Sequence, residues 1–258
     1  MAPSYPEKIH IVTIAVGKRA KEVEQMYPQR SMVSQALRVA LLVTLVALAV
    51  CACGGGQEQA EKPRPLPEDE KALRPGVYRS EEFEPSLSFR VGKGWTNAPP
   101  ESSEFLELQR GAMGGVLFLR IKEVYEPARM GVPNLAEAPK DPRDWVAWVR
   151  HHPYLRTSEP EQVEVGGVKG KRLDVVAGDL PEGHRGRCGT DCVDIGRVEG
   201  VPPLNIELLI HEEDKVRVTF LDVEGETVTI SMDSPASLFE DFVPEAQKVL
   251  DSVEWRDS

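Results

Sequence analysis

Three stretches in the last quarter of the chain place an apolar residue at every second position. They are Leu204, Ile206, Leu208 and Ile210, then Val216, Val218 and Phe220, then Val228, Ile230 and Met232. Period-two alternation puts every apolar side chain on one face of a strand, which excludes a helix for these segments. Glu224-Gly225 separates the last two as a turn signal. The pattern recurs upstream. Leu87, Phe89 and Val91 alternate before a Gly-Lys-Gly turn and Trp95; Phe105–Gln109 and Val116–Tyr125 flank GAMGG; Gln162–Val165 and Val168–Val176 flank Gly166-Gly167. Successive strands joined by hairpins predict an antiparallel sheet with one buried face.

Two segments read as helices. Asp141-Pro142-Arg143-Asp144 offers an N-cap, a proline at the first helical position and an acid in the first turn. Trp145, Trp148, Val149 and His152 follow at helical spacing. Near the C-terminus, Ser234-Pro235 repeats the signal, and Pro244 offers a second start leading into Ala246, Val249, Leu250 and Val253. Helices docked on a sheet bury both kinds of apolar face. The expected fold is α+β: one antiparallel sheet of about seven to nine strands with two or three packed helices, in a single domain.

The N-terminal part speaks to location. Val39–Gly56 reads VALLVTLVALAVCACGGG, with Arg30 and Arg38 before it and no charge from Val39 through Gln57. A basic start, a short apolar run and small residues at a cut have the layout of a secretory signal. The run Val39–Val50 is shorter than the roughly 20 residues a spanning helix needs. The cysteine at the cut resembles the lipobox of bacterial lipoproteins. Cys51 and Cys53 compete for the lipid; small Ala52 before Cys53 suits the cut better than Val50 before Cys51. That resemblance implies a diacylglyceryl thioether on Cys53, often with a third, palmitate-type chain, and so a stable anchor on the outward face of the cell membrane. An ordinary cleaved signal and a freely secreted protein is the plainer alternative.

The expected organisation is a mis-called start over 1–25, a lipoprotein signal over 26–52, a flexible linker over 53–76 and a globular domain over 77–258. Gly54–Gly76 is rich in Gly, Pro and charge; as a coil it would span roughly 25–30 Å. Removing Met1–Ala52 takes six of the 31 basic and three of the 42 acidic residues, leaving a body of charge −14. Such a body repels phosphates, which argues against nucleic acid as a partner. The membrane, through the anchor, and an envelope protein or small ligand are the expected partners.

No catalytic signature stands out. The nucleophile elbow G-x-S-x-G and the phosphate loops G-x-G-x-x-G and G-x4-G-K-[ST] are absent from the sequence. With Cys53 lipidated and Cys51 removed, Cys188 and Cys192 of CGTDC are left, and an even remainder outside the cell implies a disulfide. Adding His184 gives His-x3-Cys-x3-Cys, a soft set suited to copper or zinc. Its spacing resembles Sco-type copper chaperones, but the proline after the second cysteine and the βαβ order are missing. His151, His152 and His211 read as surface or cap residues. Glu212, Glu213 and Asp214 read as solvated turn charges. Trp145 and Trp148 read as core against the sheet rather than pocket walls.

The phrases VYRSEEFEPSLSFRVGKGW, VEVGGVKGKRLDV, FLDVEGETVTI and SLFEDFVPEAQKVLDSVEW resemble uncharacterised actinobacterial-type lipoproteins and cover most of Val77–Trp255. The element order is more weakly similar to the PsbP-like α/β/α sandwich, whose members mostly bind or assemble. Taken together, these readings predict a lipid-anchored extracytoplasmic binding or interaction domain without catalysis and without a cofactor. The alternatives are an envelope-acting hydrolase with unrecognised acid/base residues, or a metal or redox protein using His184, Cys188 and Cys192.

Overall fold

A computed structural model describes residues 62–127, 134–184, 186–187, 189, 191–199 and 205–256. The signal, Cys51, Cys53 and Cys188 lie outside the described residues. In chain order the strands are β1 (Arg64–Pro65), β2 (Gly76–Arg79), β3 (Leu87–Val91), β4 (Thr96–Ser102), β5 (Phe105–Gln109), β6 (Gly115–Leu119), β7 (Glu123–Tyr125) and β8 (Leu135–Glu137). After helix α1 (Pro142–His151) come β9 (Leu155–Thr157), β10 (Glu161–Val165), β11 (Val168–Ala177), β12 (Cys192–Glu199), β13 (Asn205–His211), β14 (Asp214–Val223) and β15 (Glu226–Pro235). Helix α2 (Phe239–Leu250) and β16 (Glu254–Trp255) close the chain.

The central sheet has eight strands, in the order β10-β11-β14-β15-β6-β5-β4 with β9 also pairing β11, and every one of its pairings is antiparallel. It is not alone. Two four-stranded sheets, β1-β2-β3-β16 and β13-β12-β7-β8, accompany it. The expectation of one sheet with one buried face is therefore corrected: the strands divide among three sheets, and both faces of the central one are covered. On one face Val116, Phe118, Val228, Ile230 and Met232 pack with Phe89, Trp95 and the α2 residues Phe242, Ala246 and Val249. On the other, Leu117, Leu119, Val216, Val218 and Phe220 pack with Trp145 and Val149 of α1 and with Val193, Ile195, Ile206 and Ile210 of the β12–β13 sheet. Val116–Tyr125 is accordingly two strands: β6 belongs to the central sheet and β7 to the outer one.

Local chemistry explains several elements. Both Gly166 and Gly167 have positive φ (58° and 81°), as do Glu224 (56°) and Gly225 (87°), the conformation a two-residue hairpin turn requires. Asp141 caps α1 as expected, its Oδ1 accepting from the Arg143 amide at 2.7 Å. The start of α2 differs from expectation. Ser234-Pro235 ends β15 instead of capping a helix, and Pro244 lies inside α2. Burial of Phe239 and Phe242, the latter with its ring 6.2 Å from that of Trp95, outweighs the amide bond that Pro244 cannot donate.

Residues 62–76 also pack on the body. Arg64–Pro65 pairs in parallel with Tyr78–Arg79, and Leu66 and Leu73 are buried. The buried Asn97 side chain ties this strap down, accepting from Lys71 N–H (2.9 Å) and donating to the carbonyls of Pro67 (2.7 Å) and Asp69 (3.0 Å).

Candidate functional site

The alternation of β15 builds the site. Val228, Ile230 and Met232 enter the core under α2, so Thr229, Ser231 and Asp233 must face the opposite layer. In a two-layer protein that stripe would meet water. Here it meets the β12–β13 sheet, and a cleft remains between them.

Strand register places the lining. Glu107, Leu117, Ser231 and Val218 form one row across β5, β6, β15 and β14. The next row is Gln109, Gly115, Asp233 and Val216. Gly115 contributes no side chain, and Glu107 Oε1 lies 3.6 Å from where its Cβ would sit. The missing side chain leaves the cradle in which Glu107 and Asp233 approach one another. Asp214, at the start of β14, and His211, at the end of β13, complete the polar end. Phe105, Leu119, Val198, Ile206 and Leu208 make the apolar walls. The cleft holds about 40 Å³ of space open to the centres of water-sized molecules, room for about three waters.

Its polar atoms are short of partners. Ser231 is fully buried and its hydroxyl has no hydrogen-bond partner. Asp233 keeps part of its surface accessible, yet its Oδ1 is shielded and likewise unpartnered. Glu107, only 2% exposed, accepts from Gln109 Nε2 at 3.0 Å.

Burial dominates the acid–base behaviour. It pushes the Glu107 carboxyl up against the Gln109 bond, with Glu70 adding repulsion. It raises Asp233 well above the ordinary carboxylate range, reinforced by Glu107 and Asp214. Asp214 is raised to about 6, again by burial, with His211 opposing and Glu213 adding. The fourth acid, Glu207, is satisfied: it accepts from the Tyr125 hydroxyl and pairs with Arg187 at 3.2 Å.

Leu208 and Val216 also border a second, smaller cavity of about 20 Å³, floored by Trp145, Val218 and Phe220 and bounded by Ile121 and Ile195. Trp145 stacks on Phe220, centroids 5.3 Å apart and planes 13° from parallel. It is a core residue, as the sequence implied, and it also walls this chamber.

The other residues singled out in the sequence are dispersed. His184 is buried, with Nε2 2.9 Å from the Cys192 carbonyl, so that nitrogen faces backbone. Cys192 is fully buried at the start of β12. No group of three His, Cys, Asp or Glu among the described residues is arranged to hold a metal. His151 is exposed, its Nδ1 2.6 Å from the Ala147 carbonyl. His152 caps α1 but is buried, not a surface residue, between Trp148 and Tyr154. Burial, then His184, lowers its pKa to about 4. Glu212 and Glu213 are the exposed turn residues expected, whereas Asp214 and His211 are drawn into the cleft.

What the fold and site define is an α+β domain of three sheets with an acid-lined cleft between two of them. No protein-family model matches the chain, and no curated protein does. Among solved structures it is similar to cyanobacterial PsbP (CyanoP) from Synechocystis, at 8% identity over 71% of this chain and 95% of that one, TM-score 0.38. It is also similar to LpqN, involved in cell envelope biogenesis of Mycobacterium tuberculosis, at 9% identity over 73% and 91%, TM-score 0.36. A protein from Bacteroides thetaiotaomicron shares 9% identity over 67% of this chain and 46% of its own, TM-score 0.32. These likenesses assign no role to any residue of the cleft.

Proposed function

We propose that this is a lipid-anchored, extracytoplasmic binding domain, held at the membrane through Cys53 and taking a small ligand into the cleft between the central sheet and β12–β13. The observation that carries the binding half is the pair of unpartnered oxygens, Ser231 Oγ and Asp233 Oδ1, at the floor of the cleft. A buried polar group without a partner costs about 1–3 kcal/mol. A ligand or its displaced waters would recover that cost, and apolar residues at the same positions would avoid it. The anchor half rests on the lipobox-like stretch ending at Cys53. Among the described residues no helix is long and apolar enough to cross a membrane. The Cys188–Cys192 disulfide belongs to this reading as a pin on the segment leading into β12.

Native mass spectrometry of the protein extracted in detergent from an expressing bacterium tests all three parts. The expected result is diacylglyceryl mass on Cys53, a mass two hydrogens short, and an organic adduct that Gly115→Val removes. Unmodified Cys53 would overturn the anchor. An empty cleft after gentle extraction, with no small molecule restoring an adduct, would overturn binding. Two free thiols with bound metal would favour His184, Cys188 and Cys192 instead.

One observation favours a second reading, an envelope-acting hydrolase. Asp214, raised to about 6, stands near Asp233, which burial also raises, and neighbouring carboxyls in different surroundings are a way to furnish an acid and a base. Turnover of cell-wall or lipid substrates that Asp214→Asn abolishes would establish it over binding alone.

A further inference from the structure

We infer that the cleft is built to take a primary ammonium group on a short aliphatic arm. This rests on the binding reading above and names the chemistry of its ligand. Three carboxyls, Glu107, Asp214 and Asp233, line the cleft, and among the described residues no lysine or arginine lines it with them. Glu207 already has Arg187. The unmet charge calls for a cation. Ser231 Oγ and Asp233 Oδ1 are acceptors without donors, and an –NH3+ group brings three donors.

Other cations fit less well. The described residues offer no metal-ligating group of three. A quaternary ammonium favours an aromatic cage, whereas among the described residues Phe105 is the one Phe, Tyr or Trp lining the cleft. The cleft volume of about 40 Å³ suits an ammonium and a short methylene arm. Leu208 and Val216, which wall this space, also wall the apolar cavity over Phe220. A phosphate close to the nitrogen, as in an aminoethyl phospholipid head group, would meet the same carboxyls and be repelled. That leaves a free alkylamine or a lysine side chain.

Burial makes the charged form of all three acids costly, and an ammonium beside them offsets that cost. The groups that set this balance are Glu107 on β5, Asp214 on β14, Asp233 on β15, and His211 and Glu207 on β13, with Glu70 and Glu213 nearby. No covalent step is involved.

The test is calorimetric titration of the detergent-solubilised full-length mature protein with n-butylammonium, n-butanol, butyrate, tetramethylammonium, Ca2+ and Nα-acetyl-lysine amide. n-Butylammonium is expected to bind at least tenfold more tightly than butanol or tetramethylammonium. Its affinity should rise from pH 6 to pH 8, as carboxyls whose protons burial holds give them up. Asp233→Asn and Ser231→Val should each weaken it at least fivefold. Gly115→Val, whose side chain would fill the cradle beside Glu107, should abolish binding in a protein that still unfolds cooperatively. Equal binding of Nα-acetyl-lysine amide would identify a protein side chain as the source, and its failure beside a binding butylammonium a free amine; either upholds the inference. Butanol or butyrate binding as well as the amine, Ca2+ displacing it, or no amine binding would overturn it. A neutral or acidic ligand held in the cleft would leave the binding reading standing while removing the amine; an empty cleft to every probe would remove both.

Discussion

Asp214→Asn isolates the electrostatic cost that the cleft carries. Asp214 is raised from an ordinary 3.8 to about 6, chiefly by burial. No hydrogen bond within the described residues reaches its carboxyl, so the substitution removes charge and little else. The native state holds this proton more tightly than the unfolded chain. Its contribution is therefore neutral below about pH 3.8, becomes increasingly unfavourable as pH rises to about 6, and stays at its full value above. The rise corresponds to at most about 3 kcal/mol. Asp214 is partly exposed, and solvent screening brings the figure to about 1–2 kcal/mol. Asp214→Asn is thus expected to stabilise the protein by about 1–2 kcal/mol at pH 8 and by nearly nothing at pH 4. In urea titrations this is a midpoint increase of about 0.5 M at the alkaline end, with the slope unchanged. The comparison is with wild type at each pH, which cancels the titration of every other group. A variant that is destabilised equally at both pH values, or whose midpoint gain does not grow with pH, would refute the reasoning and return Asp214 to the solvated turn.

Three further expectations use other parts of the molecule. His152, lowered to about 4 by burial and His184, must take up a proton on unfolding. Stability should therefore fall as pH drops from about 6.5 to 4; ring resonances of His152 already shifting at pH 6 would contradict this. Gly114 has φ +147°, and a Cβ there would lie 2.2 Å from the Asp233 carbonyl oxygen. Gly114→Ala should cost at least about 2 kcal/mol and lower the melting temperature by at least about 4 °C, and an unchanged melting curve would be evidence against this packing. Asn97→Ala removes three hydrogen bonds that hold the strap at residues 62–76. It should cost about 1–3 kcal/mol and speed tryptic cleavage after Lys71; digestion at the wild-type rate would show the strap is held without these bonds.

Much of the framework was legible because it is local. The alternation over β14 and β15, the paired positive-φ residues of their turn and the Asp141-Pro142 start of α1 each follow from a few neighbouring residues. Non-local features were not. Pro244 looked like a helix start, yet α2 begins earlier because Phe239 and Phe242 find a core made by distant strands. Residues 62–76 have linker composition, and partners far along the chain, Asn97 among them, show why they dock. The cleft was hidden for the same reason. Thr229, Ser231 and Asp233 are the polar positions of an alternating strand, and alternation alone assigns such positions to water. One signal was present: two amphipathic helices and a further alternating stretch at Ile206–Ile210 hold more apolar surface than one face of one sheet can bury.

The charge of this protein has two distinct origins. Exposed acids such as Glu212 and Glu213, in a chain of net charge −11, favour hydration and repel an anionic surface. Solubility cannot account for Glu107, which is 2% exposed, or for the shielded Oδ1 of Asp233. A carboxyl buried beside another carboxyl destabilises the fold whenever it ionises. Leu117 and Val216, their neighbours in the same rows, show that apolar side chains pack on this face without difficulty. Acids that weaken the fold, converge beside a glycine and face apolar walls are accounted for by a cationic, aliphatic ligand. The negative surface then serves the same end, raising the local concentration of the cations that the cleft selects.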